Sequence, residues 1–307
     1  MGGLIFLGIA SSLPELAIVI SAAIHHHYEI IIGNLIGGIA IQTLVLVLLD
    51  AMLHGKKPLS FRVGSLPLAL EGAFVILVTA TVMMATHFPG SAQAFGISPV
   101  SFVILLLWLI SLPIINRARL SLPWHLDPAQ GEPGRAHHER RQVENNTFMA
   151  ARRTSVVCLI FALGAIATLI AGFSIEQVGS QLAPRMGLGA GVFAATFIAV
   201  ATSLPEISSG IASIHMGDNA LAMSDIFGGN IFMLALFPLA DLLSGQPVLP
   251  HARGVDIWLA GLGILVTAIY IIGLIMRPEK RRFRMGADSI AVLTFYALGI
   301  IGLTWAK

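Results

Sequence analysis

Nine apolar runs of about twenty residues decide what this chain can fold into, because each is long enough to cross the hydrocarbon of a bilayer as one helix. Their approximate limits are 2–24, 29–53, 63–86, 97–116, 154–173, 188–214, 219–243, 255–276 and 286–305. With 56% hydrophobic and only 11% charged residues, the chain carries more apolar surface than a soluble core of 307 residues could bury. A β-barrel would alternate polarity along short strands, and the block from Ile104 to Ile110 does not alternate. The expected fold is an all-α polytopic membrane protein.

Basic residues sort by side. If the nine helices alternate, fifteen fall on one face: Lys56, Lys57, Arg62, Arg117, Arg119, Arg135, Arg140, Arg141, Arg152, Arg153, Arg277, Lys280, Arg281, Arg282 and Arg284. Only Arg185, Arg253 and Lys307 fall on the other. The positive-inside rule then places the polar stretch 117–153 in the cytoplasm and the C-terminus outside. The lone Cys158 offers no disulfide framework, and no basic segment with a cleavage site opens the chain.

Ser-Leu-Pro-Glu occurs at Ser12–Glu15 and again at Ser203–Glu206, 191 residues on, each time at bilayer depth. The same offset carries Gly37-Gly38 onto Gly228-Gly229, Asp50 onto Asp241 and Asn34 onto Asp225, and it keeps the later helices in phase. Five helix crossings separate the two glutamates, an odd number, so the halves form an inverted repeat about an axis in the membrane plane. The divisions are a first repeat over 1–116, a linker over 117–153 and a second repeat over 154–307. The mate of 154–173 would precede Met1, so the first repeat reads as lacking its first helix. The linker is rich in Pro, Gly and mixed charge, as a flexible or partly helical connection is. Its sequon Asn145-Asn146-Thr147 reads as chance in a cytoplasmic loop.

Proline at 14 and 205 withdraws a backbone donor from the carbonyl four residues back, at Ala10 and Ala201. Ser11 and Ser12 in one copy, and Thr202 and Ser203 in the other, add hydroxyl oxygens in the same turn as Glu15 and Glu206. Six to eight such hard oxygens suit Ca2+, while Mg2+ resists losing its water. Every Lys and Arg falls in a loop or at a helix end, so neither glutamate has a fixed basic partner at the midplane. Carboxylates buried without one must hold metal ions or protons, and exchange of one for the other is antiport. A proline kink with a hydrogen-bonded glutamate is the plainer reading, and duplication at matched positions argues against it.

Other polar positions divide differently. Asn34 and Asp225 open their helices beside Gly-rich turns, where capping competes with a role in cation access. Asp50 and Asp241 fall near helix ends, where hydration or capping is expected. Glu71 lies well inside its helix but its repeat mate is Leu262, so it stands outside the symmetric core, facing a water-filled cavity or taking a proton. His25, His26 and His27 read as an interfacial loop, since three successive imidazoles cannot converge on one ion from regular structure.

These residues resemble the cation/calcium exchanger superfamily, best known from sodium/calcium exchangers, whose two alpha repeats each pair a Ser-x-Pro-Glu type motif with a Gly-Asn-x-x-Gly-Ser-Asn-like motif on the next helix. Here the pairs are Ser11-Ser12-Leu13-Pro14-Glu15 with Gly33-Asn34-Leu35-Ile36-Gly37-Gly38, and Thr202-Ser203-Leu204-Pro205-Glu206 with Ser224-Asp225-Ile226-Phe227-Gly228-Gly229-Asn230. The resemblance implies an alternating-access antiporter in which Glu15 and Glu206 bind Ca2+, helped by Ser11, Ser12, Thr202 and Ser203. It also implies Na+ ligands at a Ser after the glycine and an Asn or Asp four residues later. Those places hold Gly38 and Gln42 in one repeat and Gly229 and Met233 in the other, leaving only the Gln42 amide oxygen as a suitable donor. Exchange of Ca2+ for Na+ is the leading expectation. Ca2+/H+ exchange and a transport-dead relative stay open.

The expected protein is therefore a transporter and not an enzyme. Intramembrane proteases need a deep Gly-x-Gly-Asp or a Gly-x-Ser-Gly, and neither is present. No cofactor and no nucleic acid is expected, the partners being membrane lipid and the transported Ca2+, Na+ or H+. The expected location is a prokaryotic cell membrane.

Overall fold

A computed structural model describes residues 11–89, 96–121 and 154–303. The 145–147 sequon, most of the linker and the first ten residues lie outside these. The described residues form helices and no strand, with an isolated β-type bridge between Arg282 and Met285. In hydrocarbon a backbone must satisfy its own hydrogen bonds, and a helix does so within one segment.

The helices are α1 (Leu13–Ile24), α2 (Tyr28–Met52), the short α3 (Leu59–Val63), α4 (Leu66–Ala85) and α5 (Pro99–Ser121) in the first half. The second half holds α6 (Thr154–Arg185), α7 (Ala190–Phe193, a wide π turn Ala194–Ile198, then Ala199–Thr202), α8 (Leu204–His215), α9 (Asn219–Leu234), α10 (Phe237–Ser244), α11 (Gly254–Met276) and α12 (Ala287–Leu303). Among the described residues seven spans are long and apolar enough to cross a membrane when α7 with α8 and α9 with α10 are each taken together, and α1 and α12 are shorter apolar helices.

Four boundaries differ from the apolar runs. Helix α5 continues to Ser121 and α6 to Arg185, because a helix can enter the interface while its long basic side chains reach water. The run at 188–214 is broken at Ser203, and the run at 219–243 is broken after Leu234, just before Pro238 at the start of α10. Pro14 and Pro205 do not kink a continuous helix. Each stands in the first turn of a new one, where its missing N–H costs nothing. The turns that precede them fall at Ser12 and Ser203, which are repeat mates.

Helix α2 is the centre of the bundle: 94% of its apolar window is buried, against 11% for α6, whose surface is left for lipid. Its Gly33 and Gly37 meet Gly191 and Ala195 of α7 so closely that a Cβ on either glycine would overlap the facing residue. Small residues four apart allow this backbone contact, which brings the turn at Ser203 against α2. Helix α4 packs on its own repeat mate α11, and α2 packs on its mate α9, as halves related by an in-plane axis should.

Asp50 and Asp241 are buried and hydrogen-bonded, not hydrated. Asp50 accepts from the Gly286 N–H and the Ser289 hydroxyl at the start of α12, and from the Leu59 N–H. Asp241 accepts from the Ser98 N–H and the Ser101 hydroxyl at the start of α5, and from the Val248 N–H. Each acid thus caps the last helix of the opposite half, where a carboxylate favours the exposed N–H groups and the helix dipole.

Candidate cation-binding site

Helices α1 and α8 begin at their paired turns and bring Glu15 and Glu206 to one place. Both glutamates are fully buried. Gln42, one and a half turns beyond Gly37 on the central helix, directs its amide nitrogen at both: Nε2 lies 3.2 Å from Glu15 Oε1 and 3.4 Å from Glu206 Oε1. The same nitrogen is 3.0 Å from the sulfur of Met233, its own repeat mate. Among the described residues neither glutamate forms an ion pair with Lys or Arg.

Oxygens without hydrogen-bond partners collect here. Oε2 of Glu15, Oε2 of Glu206 and Oε1 of Gln42 are buried and unpartnered. The side chain of Thr202 stands beside the Glu15 carboxyl, while the Ser203 hydroxyl donates to the Ala199 carbonyl at 2.7 Å. A Cβ on Gly229 would stand 3.7 Å from the Ser12 hydroxyl and 3.8 Å from Gln42 Oε1, so these two oxygens converge on that glycine. Buried acceptors left unmade cost roughly 1–3 kcal/mol each, more when charged, and a bound cation removes that cost. No cluster of three or more His, Cys, Asp or Glu side chains suited to a metal occurs among the described residues, and the candidate donors here are two carboxylates with neutral oxygens.

The remaining candidates separate. Ser11 donates to Asp225 Oδ1 at 3.2 Å and Ser209 donates to Oδ2 at 2.5 Å, which ties the start of α1 and the body of α8 to α9. Asp225 is therefore held by hydroxyls within α9 and is not a cap, Asp218 being the residue that caps that helix through the Leu221 N–H. Asn34 likewise lies inside α2, fully buried with both amide atoms unpartnered, as does Asn230 on α9. Glu71 is paired with Arg119 at 2.6 Å, in place of the proton or open water that its sequence position suggested. The apolar run ends at 116 and leaves Arg119 to the linker, whereas α5 continues to Ser121 and carries it to Glu71.

Glu176 was not singled out by sequence at all. It is fully buried on α6, accepting from the Ser21 hydroxyl at 2.7 Å and meeting His27 Nδ1 at 2.6 Å. Its signal was hidden because the apolar run ends at 173, three residues short of it.

The family model described as sodium/calcium exchanger protein matches residues 1–116 and 155–305. The chain belongs to that family. Relatives include "Inner membrane protein YrbG" of Escherichia coli strain K12, 24% identical over 234 residues, 76% of this chain and 66% of the relative. "Putative antiporter CaxA" of Alkalimonas amylolytica is 24% identical over 255 residues, 83% of this chain and 73% of the relative. The chain thus spans just under two thirds of YrbG. A solved structure of the sodium-calcium exchanger NCX_Mj shares the fold over 98% of this chain and 85% of its own, at a TM-score of 0.57 and 17% identity. As a family member with these apolar spans, the chain is a multi-pass membrane protein with two inverted repeats.

Proposed function

We propose that this exchanger-family chain is a secondary active antiporter that carries Ca2+ between Glu15 and Glu206 and returns Na+ by alternating access. The observation that carries the proposal is the pair of buried carboxylates bridged by a neutral amide and, among the described residues, by no basic side chain. An unpaired buried charge costs several kcal/mol, so the glutamates change hands between cations and do not stand bare. Ca2+ accepts both carboxylates together with Gln42 Oε1 and the Thr202 and Ser12 hydroxyls, because its shell tolerates irregular oxygen geometry.

Met233 supports H+ as a second reading for the counterion. Its thioether touches the Gln42 amide where an oxygen ligand would otherwise extend the site to further Na+, and sulfur is a poor donor to hard cations. In that case the two carboxyls release Ca2+ by taking up protons. The linker 117–153 is assigned to the cytoplasm by the distribution of Lys and Arg.

Uptake of Ca2+ into proteoliposomes, driven in turn by an outward Na+ gradient and by a pH gradient, tests both readings. Uptake with Na+ alone supports Na+ exchange, and uptake with the pH gradient alone supports H+ exchange. Absence of flux under both overturns the antiport reading in favour of a transport-dead relative.

A further inference from the structure

A polar chain leads away from the glutamates toward the face that carries the linker. Near that face a cavity of about 290 Å³ is lined by Ser65, Pro67 and Leu68 of the α4 entry, Asp218 and Leu221 of the α9 entry, and Arg119 of α5. The Arg119 guanidinium donates to Glu71 at 2.6 Å and to the Ser224 hydroxyl at 2.5 Å. Ser224 adjoins Asp225, which is bonded to Ser209 one turn beyond Glu206 and to Ser11 beside Ser12. From the cavity to the carboxylates the neighbours are thus polar at each step, half-buried at Arg119, Ser224 and Ser209 and buried at Glu71, Asp225 and Ser11.

We propose that Arg119 is the gate of the linker-side cation path, and that Glu71 is the carboxylate which receives the cation when Arg119 withdraws. This rests on the antiport reading. Glu71 is only 2% exposed and keeps Oε2 without a partner, so a second positive charge has a buried acceptor waiting. Arg119 is 31% exposed, and Asp218 lines the same cavity, so the guanidinium has both water and an anion to turn to. While it stays on Glu71 and Ser224, its own charge repels any cation entering toward Asp225.

A purely structural ion pair is the rival account. Buried ion pairs are often no more stabilising than apolar residues of similar volume. This fold supplies its own control, since the repeat mate of Glu71 is Leu262, which packs against Gly299 in the equivalent helix. The architecture therefore accepts leucine at this position, and the acid stands on one side only. A gate built so should be asymmetric.

Two experiments decide it. Ser224→Cys in a Cys158→Ser background is labelled from the linker face with a membrane-impermeant trimethylammonium methanethiosulfonate. Adding Arg119→Gln should speed labelling at least tenfold, and an unchanged rate overturns the gate whether or not the protein exchanges ions. In oriented vesicles Glu71→Leu should raise the apparent KM for Ca2+ at least fivefold on the linker face and leave the opposite face unchanged. An equal change on both faces, or none on either, overturns the role of Glu71, whereas absence of flux in the unmodified protein sinks the antiport reading and leaves the labelling to judge the gate.

Discussion

Gln42 and Met233 occupy the same place in the two repeats, and they touch, with the amide nitrogen 3.0 Å from the sulfur. The relation extends to the glycines one turn back. A Cβ on Gly38 would stand 2.7 Å from the Met233 methyl, and one on Gly229 would stand 3.8 Å from Gln42 Oε1. Each repeat's side chain thus fills the space that the other repeat's glycine leaves. The proposed ligand set is two-fold in position and one-sided in chemistry.

Glu15→Gln and Glu206→Gln should each reduce Ca2+ exchange at least a hundredfold, since either removes one of the two anionic donors of the proposed site. Thermal unfolding in detergent should stay the same or rise, because neutral amides are easier to bury than unpaired carboxylates. Flux that survives either change would remove the glutamates from the site.

Gly229→Ser should be tolerated, because its Cβ meets only ordinary contacts, and it should place a hydroxyl beside Ser12 and Gln42. Dependence of Ca2+ uptake on Na+ should become stronger or appear. Gly38→Ser meets the Met233 methyl and should give a smaller gain until Met233 is shortened to alanine. Measuring uptake against Na+ concentration in the three variants checks the order.

Asp241→Ala should destabilise the fold by about 2–4 kcal/mol, since it strips the partners from two buried backbone N–H groups and the Ser101 hydroxyl. Asp241→Asn should cost less, as its carbonyl oxygen still accepts. A denaturant titration of both variants reads the difference, and equal loss would argue against capping as the role of this acid.

Glu176→Ala should free the turn between α1 and α2 by unlinking Ser21 and His27 from α6, at a cost of about 1–3 kcal/mol. Protease sensitivity or hydrogen exchange at residues 25–28 should rise while the environment of Gln42 stays as it was. Unchanged exchange at the turn would make Glu176 a passive core acid.

The fold was readable because bilayer thickness and backbone satisfaction leave a long apolar run little choice but a helix. The paired glutamates were readable for a related reason: carboxylates at that depth are conspicuous, and the second copy fixed the register. Details that depend on helix ends were less legible. Arg119 and Glu176 both lie past the point where hydropathy fades, so apolar length misassigned one and concealed the other. Asp50 and Asp241 look like surface caps in sequence, and only tertiary contact reveals that the helices they cap belong to the opposite half.

That exchange of caps makes the two halves structurally interdependent. A gene split between residues 122 and 153 would yield fragments that each hold one aspartate stripped of its cross-half partners and one bare helix start, so neither should be stable in the membrane without the other. Co-expressed, they should recognise each other as keys cut for one another's locks.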